Sequence, residues 1–400
     1  MDEELAPDWE PYWETHWLIE DWFDSTEDTF ESAHMDAAMN MDTDTAMADS
    51  EPPPLPNSDK MRRVFIDPLW TFHDATFNTS FHSLAELPTI TAPDFRPFKS
   101  EAPYSYKRWL PLILRSRRTQ RPSTTVQTIT LTLSQARLLL SAASGSILTG
   151  RINLMYAEDL HEEITQPSLS ELTFPPEGLF CQMDLCSPKD GAHVFPDRRA
   201  LHGPEEVLLR IVTSMRARGA LVAAVEGEGD DHVERRSSDT PTIEIYFLPF
   251  DKRMGAENEY RVFCRPGDGK ITGISQYQWH KEWKLAALDR AGRYEAMVDI
   301  AEGARSLRRQ IVAHMEEAWS ETDRLMWEQG WSFDMLFDET TSLCKLVELN
   351  PFGADSPCGS CLFHWVRDWD VLYGNSPAEF RLAINPQVVG DMELNGFGGV

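Results

Sequence analysis

The sequence predicts an α+β fold, in which hairpins and helices are mixed instead of alternating strictly. A turn signal, Pro266-Gly267-Asp268-Gly269, separates two short apolar runs and predicts one β-hairpin. Residues 331–353 contain two alternating apolar runs around a polar break, which predicts a second hairpin. Between the hairpins, residues 303–328 carry apolar side chains at four-residue steps and predict a helix that ends at Gly330.

The remaining elements follow from shorter patterns. Ile129, Leu131 and Leu133 alternate with threonines as in a strand, and Ser134 is positioned to cap a short helix through residue 142. Residues 203–224 place their apolar side chains on one helical face. Residues 226–241 are rich in Gly, Asp, Glu and Ser, which is typical of a solvated loop.

Charge and composition exclude several classes of protein. The 400 residues include 37 basic and 65 acidic side chains, for a formal net charge of -28, which disfavours broad binding to nucleic acid or anionic membranes. One basic run is either a local patch or a solvated loop: Arg115, Arg117, Arg118 and Arg121. No apolar stretch approaches the ~18 residues of a membrane span, so we expect a cytoplasmic protein without a membrane anchor.

The six cysteines are too sparse for a disulfide scaffold, which agrees with a reducing compartment. Cys358-Gly-Ser-Cys361 has the spacing of a redox motif or of half a zinc site, but no second pair accompanies it. A core or loop role for these two cysteines is therefore favoured.

The first 60 residues carry much of the charge, with 18 acidic residues and one base, Lys60. They offer little apolar surface, so we expect them to be largely disordered. Trp9, Trp13 and Trp17 recur at four-residue steps and could form one side of a helix. This acidic-aromatic segment either docks on a basic partner or packs loosely on its own domain.

The second hairpin is the segment richest in chemistry. With a turn near Thr341, Asp334 lies directly across from Glu348, and alternation places Asn350 on the same face. Phe333, Met335, Val347 and Leu349 then fill the other face. Two facing carboxylates are unfavourable in a half-buried sheet unless something neutralises them, and magnesium would do so with oxygen ligands. The alternative is an ordinary exposed face.

Two basic residues upstream could complete a nucleotide site. Arg261 lies in an apolar strand and would need a partner when buried, whereas Lys189 lies in Cys186-Ser187-Pro188-Lys189-Asp190. Nucleotide-binding sites generally hold the phosphates with basic side chains and with a metal ion that bridges phosphate oxygens. The chain has no Walker loop, dinucleotide fingerprint, His-Glu-x-x-His helix or Gly-x-Ser-x-Gly elbow.

Taken in order, several segments resemble motifs of the cell division cycle protein 123 family. The resemblance extends over roughly residues 104–384 and is carried by Trp109-Leu110-Pro111, residues 180–190, Glu259-Tyr260-Arg261-Val262-Phe263, Gly273-Ile274-Ser275-Gln276, Phe333-Asp334, residues 347–353, Leu362-Phe363-His364-Trp365 and Pro377-Ala378-Glu379-Phe380-Arg381. It implies an ATP-grasp-like fold of two α+β lobes that grip ATP and Mg²⁺. The implied organisation is an acidic, largely disordered extension (1–103), the ATP-grasp-like domain (104–384) and a tail (385–400).

The resemblance also assigns residues to a site. It implies Asp334, Glu348 and Asn350 as metal ligands, with Lys189 and Arg261 facing phosphates and residues 244–250 beside the adenine. The full nucleotide-binding set that it implies is Gln182, Asp184, Ser187, Lys189, Asp190, Tyr246, Phe247, Leu248, Phe250, Glu259 and Arg261. Family members bind the gamma subunit of translation initiation factor 2 and promote its assembly. We accordingly expect a monomeric, non-catalytic, ATP-binding assembly factor that does not contact nucleic acid directly.

The chain departs from the family pattern at several site positions. Gln182 stands where the family has a lysine, Leu248-Pro249-Phe250 replaces Arg-Lys-Trp, and Tyr277-Gln278 replaces Arg-Asp. Losing one or two cations would weaken ATP binding by about a few kcal/mol. Two other functions therefore stay open: a carboxylate–amine ligase on the same fold, and a pseudo-enzyme that has lost the nucleotide.

Overall fold

The structure, a computed structural model, describes residues 61–71, 76–83, 99–117, 126–195, 199–226, 242–317 and 319–385. The disorder and the tryptophan helix predicted within residues 1–60 lie outside the described residues, and so do most of the loop predicted at 226–241 and the tail after residue 385. Of the basic run, Arg115 and Arg117 are described, and they form the last turn of a helix.

Strands and helices are both abundant, so the predicted α+β class is confirmed. In chain order, the strands of the described residues are β1 (Arg62–Ile66), β2 (Gln127–Thr132), β3 (Leu179–Met183), β4 (Thr242–Pro249), β5 (Glu259–Cys264), β6 (Ile271–Gln276), β7 (Trp331–Asp338), β8 (Leu343–Pro351) and β9 (Glu379–Ala383). The α-helices are α1 (Tyr106–Arg117), α2 (Leu133–Thr149), α3 (Ala157–Leu160), α4 (Pro204–Val212), α5 (Met215–Glu226), α6 (Arg290–Glu317), α7 (Glu321–Gln329) and α8 (Trp369–Leu372). Across the described ranges, no helix has the length and apolar character needed to cross a membrane.

The strands form two sheets. The first has six strands in the order β1-β9-β6-β5-β7-β8, in which β9 runs parallel to both of its neighbours and the other pairs are antiparallel. The second has three antiparallel strands in the order β2-β4-β3. We call the six-stranded sheet with α1, α6 and α7 the large lobe, and the three-stranded sheet with α2, α4 and α5 the small lobe.

Each lobe has its own hydrophobic core, as the predicted two-lobed organisation requires. Apolar side chains of α1 and α6, including Trp109 and Ile311, pack with the inner face of the large sheet. The small-lobe core joins β2, β3 and β4 to α2, α4 and α5. Strand β4 serves both cores, because Ile245 and Phe247 point into the small-lobe core while Tyr246 and Leu248 pack in the large-lobe core.

Part of the predicted N-terminal extension belongs to the fold. Strand β1 is the edge strand of the large sheet and pairs with β9 from Arg62 opposite Glu379 to Ile66 opposite Ala383. Three of its five side chains are buried, which supplies the apolar surface that residues 1–60 lack. The folded region therefore includes residues before the boundary that the resemblance placed at residue 104.

Helix boundaries differ from the sequence expectations where capping signals were misread. Thr132, not Ser134, caps α2 by exchanging hydrogen bonds with Gln135, and the helix continues to Thr149 before Gly150 adopts a left-handed conformation. The helix expected at 203–224 is divided into α4 and α5 between Val212 and Met215.

The long helix is also two helices. α6 begins thirteen residues before the expected start, at Arg290, and ends at Glu317. Ser320 then caps α7 through a reciprocal pair of bonds with Asp323, and α7 ends at Gly330 as expected. Trp319, which continues the four-residue steps of Leu307, Ile311 and Met315 in the sequence, lies between the helices and is exposed.

Both predicted hairpins are present. In the first, Gly267 and Gly269 adopt positive φ angles of 87° and 57° in the turn between β5 and β6. A side chain at Gly269 would also meet the ring of Trp331, whose nearest atom lies 2.1 Å from the position of an added Cβ. The glycine therefore allows both the turn and the close approach of the tryptophan.

Candidate functional site

The second hairpin places the predicted residues on one face. Asp334 lies opposite Glu348 and Ser332 opposite Asn350, so the register read from the sequence is confirmed. Asn350 Nδ2 donates a hydrogen bond of 3.2 Å to Asp334 Oδ2. A β-bulge follows, because Met335 pairs with Leu346 and leaves Val347 between two ladder positions.

The bulge changes which residues fill the opposite face. Phe333, Met335 and Leu349 pack in the large-lobe core as expected. The fourth core position is taken by Leu346, which is fully buried, whereas Val347 stays partly exposed. The expectation for Val347 was therefore wrong, since strict alternation across the hairpin does not allow for an extra residue.

Arg261 is the buried partner of Asp334. Its Nε donates to Asp334 Oδ1 over 2.8 Å and its Nη2 to Oδ2 over 2.7 Å, with side chains only 8% and 1% exposed. Its Nη1 donates to the carbonyl of Gly359 (2.7 Å) and to Cys358 Sγ (3.2 Å). Burial alone would lower the pKa of Arg261, but Asp334 and the two nearby cysteines raise it well above its ordinary value. Arg261 thus has the partner that the sequence demanded, and this partner is a carboxylate of the site.

Two further carboxyl groups lie near this pair. Burial raises the pKa of Glu259 to about 7, Lys189 opposes that shift, and the negative charges of Asp334 and Glu348 add to it. Burial likewise raises the pKa of Glu348, with the like charge of Asp334 adding and Lys189 opposing. We call Asp334, Glu348 and Glu259 the carboxylate cluster. Burial is the first cause of both shifts, and the like charge of Asp334 adds to each. In the part of the chain that the structure describes, no three His, Cys, Asp or Glu side chains are arranged as a ready metal site.

Cationic side chains of the small lobe reach the same place. Lys189, in the loop after β3, donates from Nζ to the phenol oxygen of Tyr277 over 2.6 Å. Arg216, in the first turn of α5, donates from Nε to the carbonyl of Ser187 over 3.1 Å. Both lie near enough to Glu348 to oppose the rise in its pKa. We call Lys189, Arg216 and Arg261 the cationic group.

Two carboxylates of the implied nucleotide set make capping contacts in the structure. Asp184 caps the start of α1, where its Oδ1 accepts from Ser105 Oγ (2.8 Å) and the Lys107 amide (2.9 Å). Asp190 caps α5 in the same way through Ser214 Oγ (2.6 Å) and the Arg216 amide (3.2 Å).

The other members of that set lie in or beside the small sheet. Ser187 Oγ donates to the carbonyl of Cys181 (3.1 Å), and the amide of Phe250 donates to the carbonyl of Gly178 (2.9 Å). Phe247 is enclosed in the small-lobe core, whereas Tyr246 and Leu248 point to the opposite face of β4. Gln182 is buried on β3 opposite Tyr246. A role for these residues in nucleotide binding stays a prediction.

Sequence reasoning missed Arg216 and the role of Tyr277. Arg216 reads as one of several bases in an amphipathic helix, and only the break at Ser214 turns it toward Ser187 and Glu348. Tyr277 was noted only as a departure from a motif, although its position directly after β6 places it beside Glu259 of β5, whose carbonyl accepts the Tyr277 amide (2.9 Å). The contact of Tyr277 could be predicted only by knowing how β5 pairs with β6. The contact of Arg216 could be predicted only by knowing where α5 begins.

The donor set suits a hard cation, with one restriction. Glu348 offers a carboxylate, and a cation bound beside it would lower its raised pKa. Asn350 offers an amide oxygen on the same face. Asp334 is more restricted, because its Oδ2 already accepts from both Arg261 and Asn350 and its Oδ1 from Arg261. One lone pair of Oδ1 is left for a metal ion by these contacts, so the fit relies mainly on Glu348 and Asn350.

Comparisons with known proteins give structural neighbours only. No family model matches the chain, and no curated protein sequence matches it. Among solved structures, it is similar to Cdc123 from Schizosaccharomyces pombe, with 14% sequence identity and a TM-score of 0.45, over 72% of this chain and 99% of that chain. A C-terminally truncated form of the same protein gives 14% identity and a TM-score of 0.47 over the same shares.

Proposed function

We propose that this chain binds ATP together with Mg²⁺ between the carboxylate cluster and the cationic group. The observation that carries the proposal is the register of β7 and β8, which brings Asp334, Glu348 and Asn350 to one face of the hairpin. Lys189 and Arg216 face Glu348 there. Oxygen ligands next to phosphate-binding cations are what a magnesium–nucleotide complex requires, since the metal ion neutralises the carboxylates and the bases neutralise the phosphates.

The residues divide between the two tasks. Glu348 and Asn350 would hold Mg²⁺, with the remaining lone pair of Asp334 Oδ1 as a third donor. Lys189 and Arg216 would contact phosphate oxygens, because their positive charges face Glu348 and they do not form the buried ion pair with Asp334 that Arg261 forms. Arg261 would act through Asp334 by fixing the orientation of that carboxylate.

We further propose that the bound nucleotide serves an assembly role, in which the chain binds the gamma subunit of translation initiation factor 2. This part rests on the order and spacing of the motifs between residues 104 and 384. It predicts that the full-length chain captures purified gamma subunit in a pulldown. Failure to do so with the full-length chain, with and without ATP and Mg²⁺, would remove the assembly role but not the nucleotide site.

Calorimetric titration of ATP into the full-length chain tests the nucleotide site. We expect saturable binding that requires Mg²⁺ and weakens at least 10-fold in Glu348→Gln, because the variant loses a charged oxygen ligand. Glu302→Gln is the matched control, since Glu302 is an exposed residue of α6. Equal affinity in wild type and Glu348→Gln would remove Glu348 from the metal site.

A pseudo-enzyme is the competing function, and one observation favours it. Arg261, one of the two bases that the family resemblance directs at phosphate, has its guanidinium engaged by Asp334 and Gly359. Together with Gln182 in place of a lysine, this leaves fewer free cations for a triphosphate. The same titration separates the two functions, since a pseudo-enzyme gives neither heat nor a thermal shift with ATP and Mg²⁺.

A further inference from the structure

Residues 76–83, which we call the strap, lie along the loop that follows β8 and ends before α8 (353–365, the site loop). Three strap amides donate hydrogen bonds to carbonyls of this loop: Asn78 to Cys361 (2.7 Å), Phe81 to Ser356 (3.1 Å) and His82 to Ala354 (2.8 Å). Phe77 packs against a small apolar cluster that includes Leu362. The strap is therefore bound along most of the length of the site loop.

Asn78 makes the central contact of the strap. Its side-chain Oδ1 accepts a hydrogen bond from the amide of Cys361 (3.1 Å), in addition to the bond that its own amide donates to the carbonyl of that residue. Oδ1 also lies 2.4 Å from the position that a Cβ on Gly359 would take, so the asparagine side chain lies directly against this glycine. Asn78 has a positive φ of 52°, a conformation that asparagine adopts more readily than most side chains. The asparagine at 78 and the glycine at 359 thus suit one close contact.

The site loop binds the part of the Arg261 guanidinium that Asp334 does not bind. Nη1 of Arg261 donates to the carbonyl of Gly359 (2.7 Å) and to Cys358 Sγ (3.2 Å), whereas Nε and Nη2 donate to Asp334. The loop also follows β8, the strand that carries Asn350. A displacement of the loop would therefore move a guanidinium that orients one carboxylate of the site.

We propose that Asn78 is a positioning residue of the nucleotide site: its contact with Gly359 holds the site loop in place, and the loop holds Arg261 in the orientation that fixes Asp334. This inference rests on the proposed function and adds to it a residue that precedes the region of family resemblance (104–384). Metal ligands have to be held within about 0.5 Å of their productive geometry. A looser site loop therefore weakens ATP binding with Mg²⁺ more than ATP binding without it.

Calorimetric titration of ATP into full-length variants tests this role. Asn78→Gly tolerates the positive φ but lacks the Oδ1 acceptor, so we expect ATP binding with Mg²⁺ to be about 5-fold weaker, the scale of one lost hydrogen bond, and binding in EDTA to change less than 2-fold. Asn78→Asp keeps the acceptor and should bind within 2-fold of wild type. Asn375→Gly is the matched control, because Asn375 is an exposed residue between α8 and β9. A purely structural role would weaken binding equally with and without Mg²⁺.

A double-mutant cycle in urea tests the same contacts without a nucleotide. Asp334→Asn should raise the unfolding equilibrium constant at least 5-fold less in the Asn78→Gly background than in the wild-type chain, because the loop there already holds Arg261 less firmly. In the Asn375→Gly background, the effect of Asp334→Asn should be unchanged within 2-fold. Thr79→Val removes a strap hydroxyl that accepts from the amide of Trp365 (3.0 Å), and it replaces Asn78→Gly if circular dichroism shows that variant to be unfolded.

The outcomes separate this inference from the proposed function. If wild type binds ATP with Mg²⁺ and Asn78→Gly binds it equally well, the positioning role is wrong and the nucleotide site stands. If neither protein binds ATP but the urea cycle shows the coupling, the nucleotide proposal fails and the support of Arg261 and Asp334 by the strap stands. Additive effects of Asn78→Gly and Asp334→Asn on unfolding, or Asn78→Asp binding as weakly as Asn78→Gly, overturn the inference.

Discussion

The buried pair of Arg261 and Asp334 offers the sharpest test of how the site is built. Asp334→Asn keeps the shape of the side chain but removes its charge and one of the two acceptors of the guanidinium. Breaking a buried ion pair by removing one partner costs about 3–5 kcal/mol, because the other charge stays buried without compensation. Relief of the repulsion between Asp334 and Glu348 offsets part of that cost. We therefore expect a loss of about 3 kcal/mol in the free energy of unfolding.

The chain contains a matched control for this substitution. Asp268 also accepts two hydrogen bonds from one arginine, Arg265, over 2.9 and 2.7 Å. Its side chain is 36% exposed and that of the arginine 28%, so solvent screens the pair. Asp268→Asn should cost less than about 1 kcal/mol.

Equilibrium unfolding in urea, followed by tryptophan fluorescence and circular dichroism, measures both variants. The double variant Asp334→Asn with Arg261→Gln should recover part of the loss, since it leaves no unpaired buried charge. If Asp334→Asn costs no more than Asp268→Asn, the guanidinium of Arg261 is not held by Asp334 in a water-excluded site, and the reasoning about this pair fails.

Three other predictions concern stability. Because burial raises the pKa of Glu259 to about 7, the folded state binds more protons than the unfolded state between pH 4.5 and 7, so stability falls as the pH rises through this window. Glu259→Gln should reduce that fall in urea titrations at pH 5 and 8, and Glu348, whose pKa is also raised, accounts for a remaining fall of the same sign. Burial lowers the pKa of His364 to about 4, so its contribution has the opposite sign: stability is lost as the pH falls from 6.5 toward 4, and urea midpoints of His364→Gln should show a flatter slope there. Gly267→Ala should lower the free energy of unfolding by about 1 kcal/mol because of its positive φ alone. Gly269→Ala should cost at least twice as much, because its Cβ would also collide with Trp331. Equal costs in urea unfolding would contradict the close contact.

The sequence was sufficient for the register of the site hairpin. The position of the polar break and the alternation of side chains set Asp334 across from Glu348, and both are local properties. The bulge that follows was not predictable, because Val347 and Leu346 are both apolar and only packing against the core selects which of them is buried. Alternation therefore predicts the pairing of a hairpin but not a change of register within it.

Contacts between distant segments could not be read from the sequence. The requirement that Arg261 have a partner was predictable from its apolar strand, but the identity of that partner depends on the pairing of β5 with β7. Asp184 and Asp190 were assigned to nucleotide binding by the family resemblance, whereas each caps a helix that begins elsewhere in the chain. A motif preserves residue types and spacing, but the same carboxylate can serve a helix terminus or a ligand.

The strand β1 illustrates the same limit. Arg62–Ile66 follows a long acidic segment and has no apolar alternation that would distinguish it from a linker. It becomes a strand because β9 offers a parallel edge to pair with, about 317 positions later in the chain. Such long-range pairing is set by the tertiary fold and not by local propensity.

The most direct test of the central claim is a calorimetric titration of ATP into the full-length wild-type chain with Mg²⁺ and with EDTA in its place. The proposed site predicts saturable binding with Mg²⁺ that is at least 10-fold weaker in EDTA and at least 10-fold weaker in Glu348→Gln, while Glu302→Gln binds like wild type. Binding that is equally tight with and without Mg²⁺, or no binding at millimolar ATP, would contradict a magnesium–nucleotide site at the carboxylate cluster.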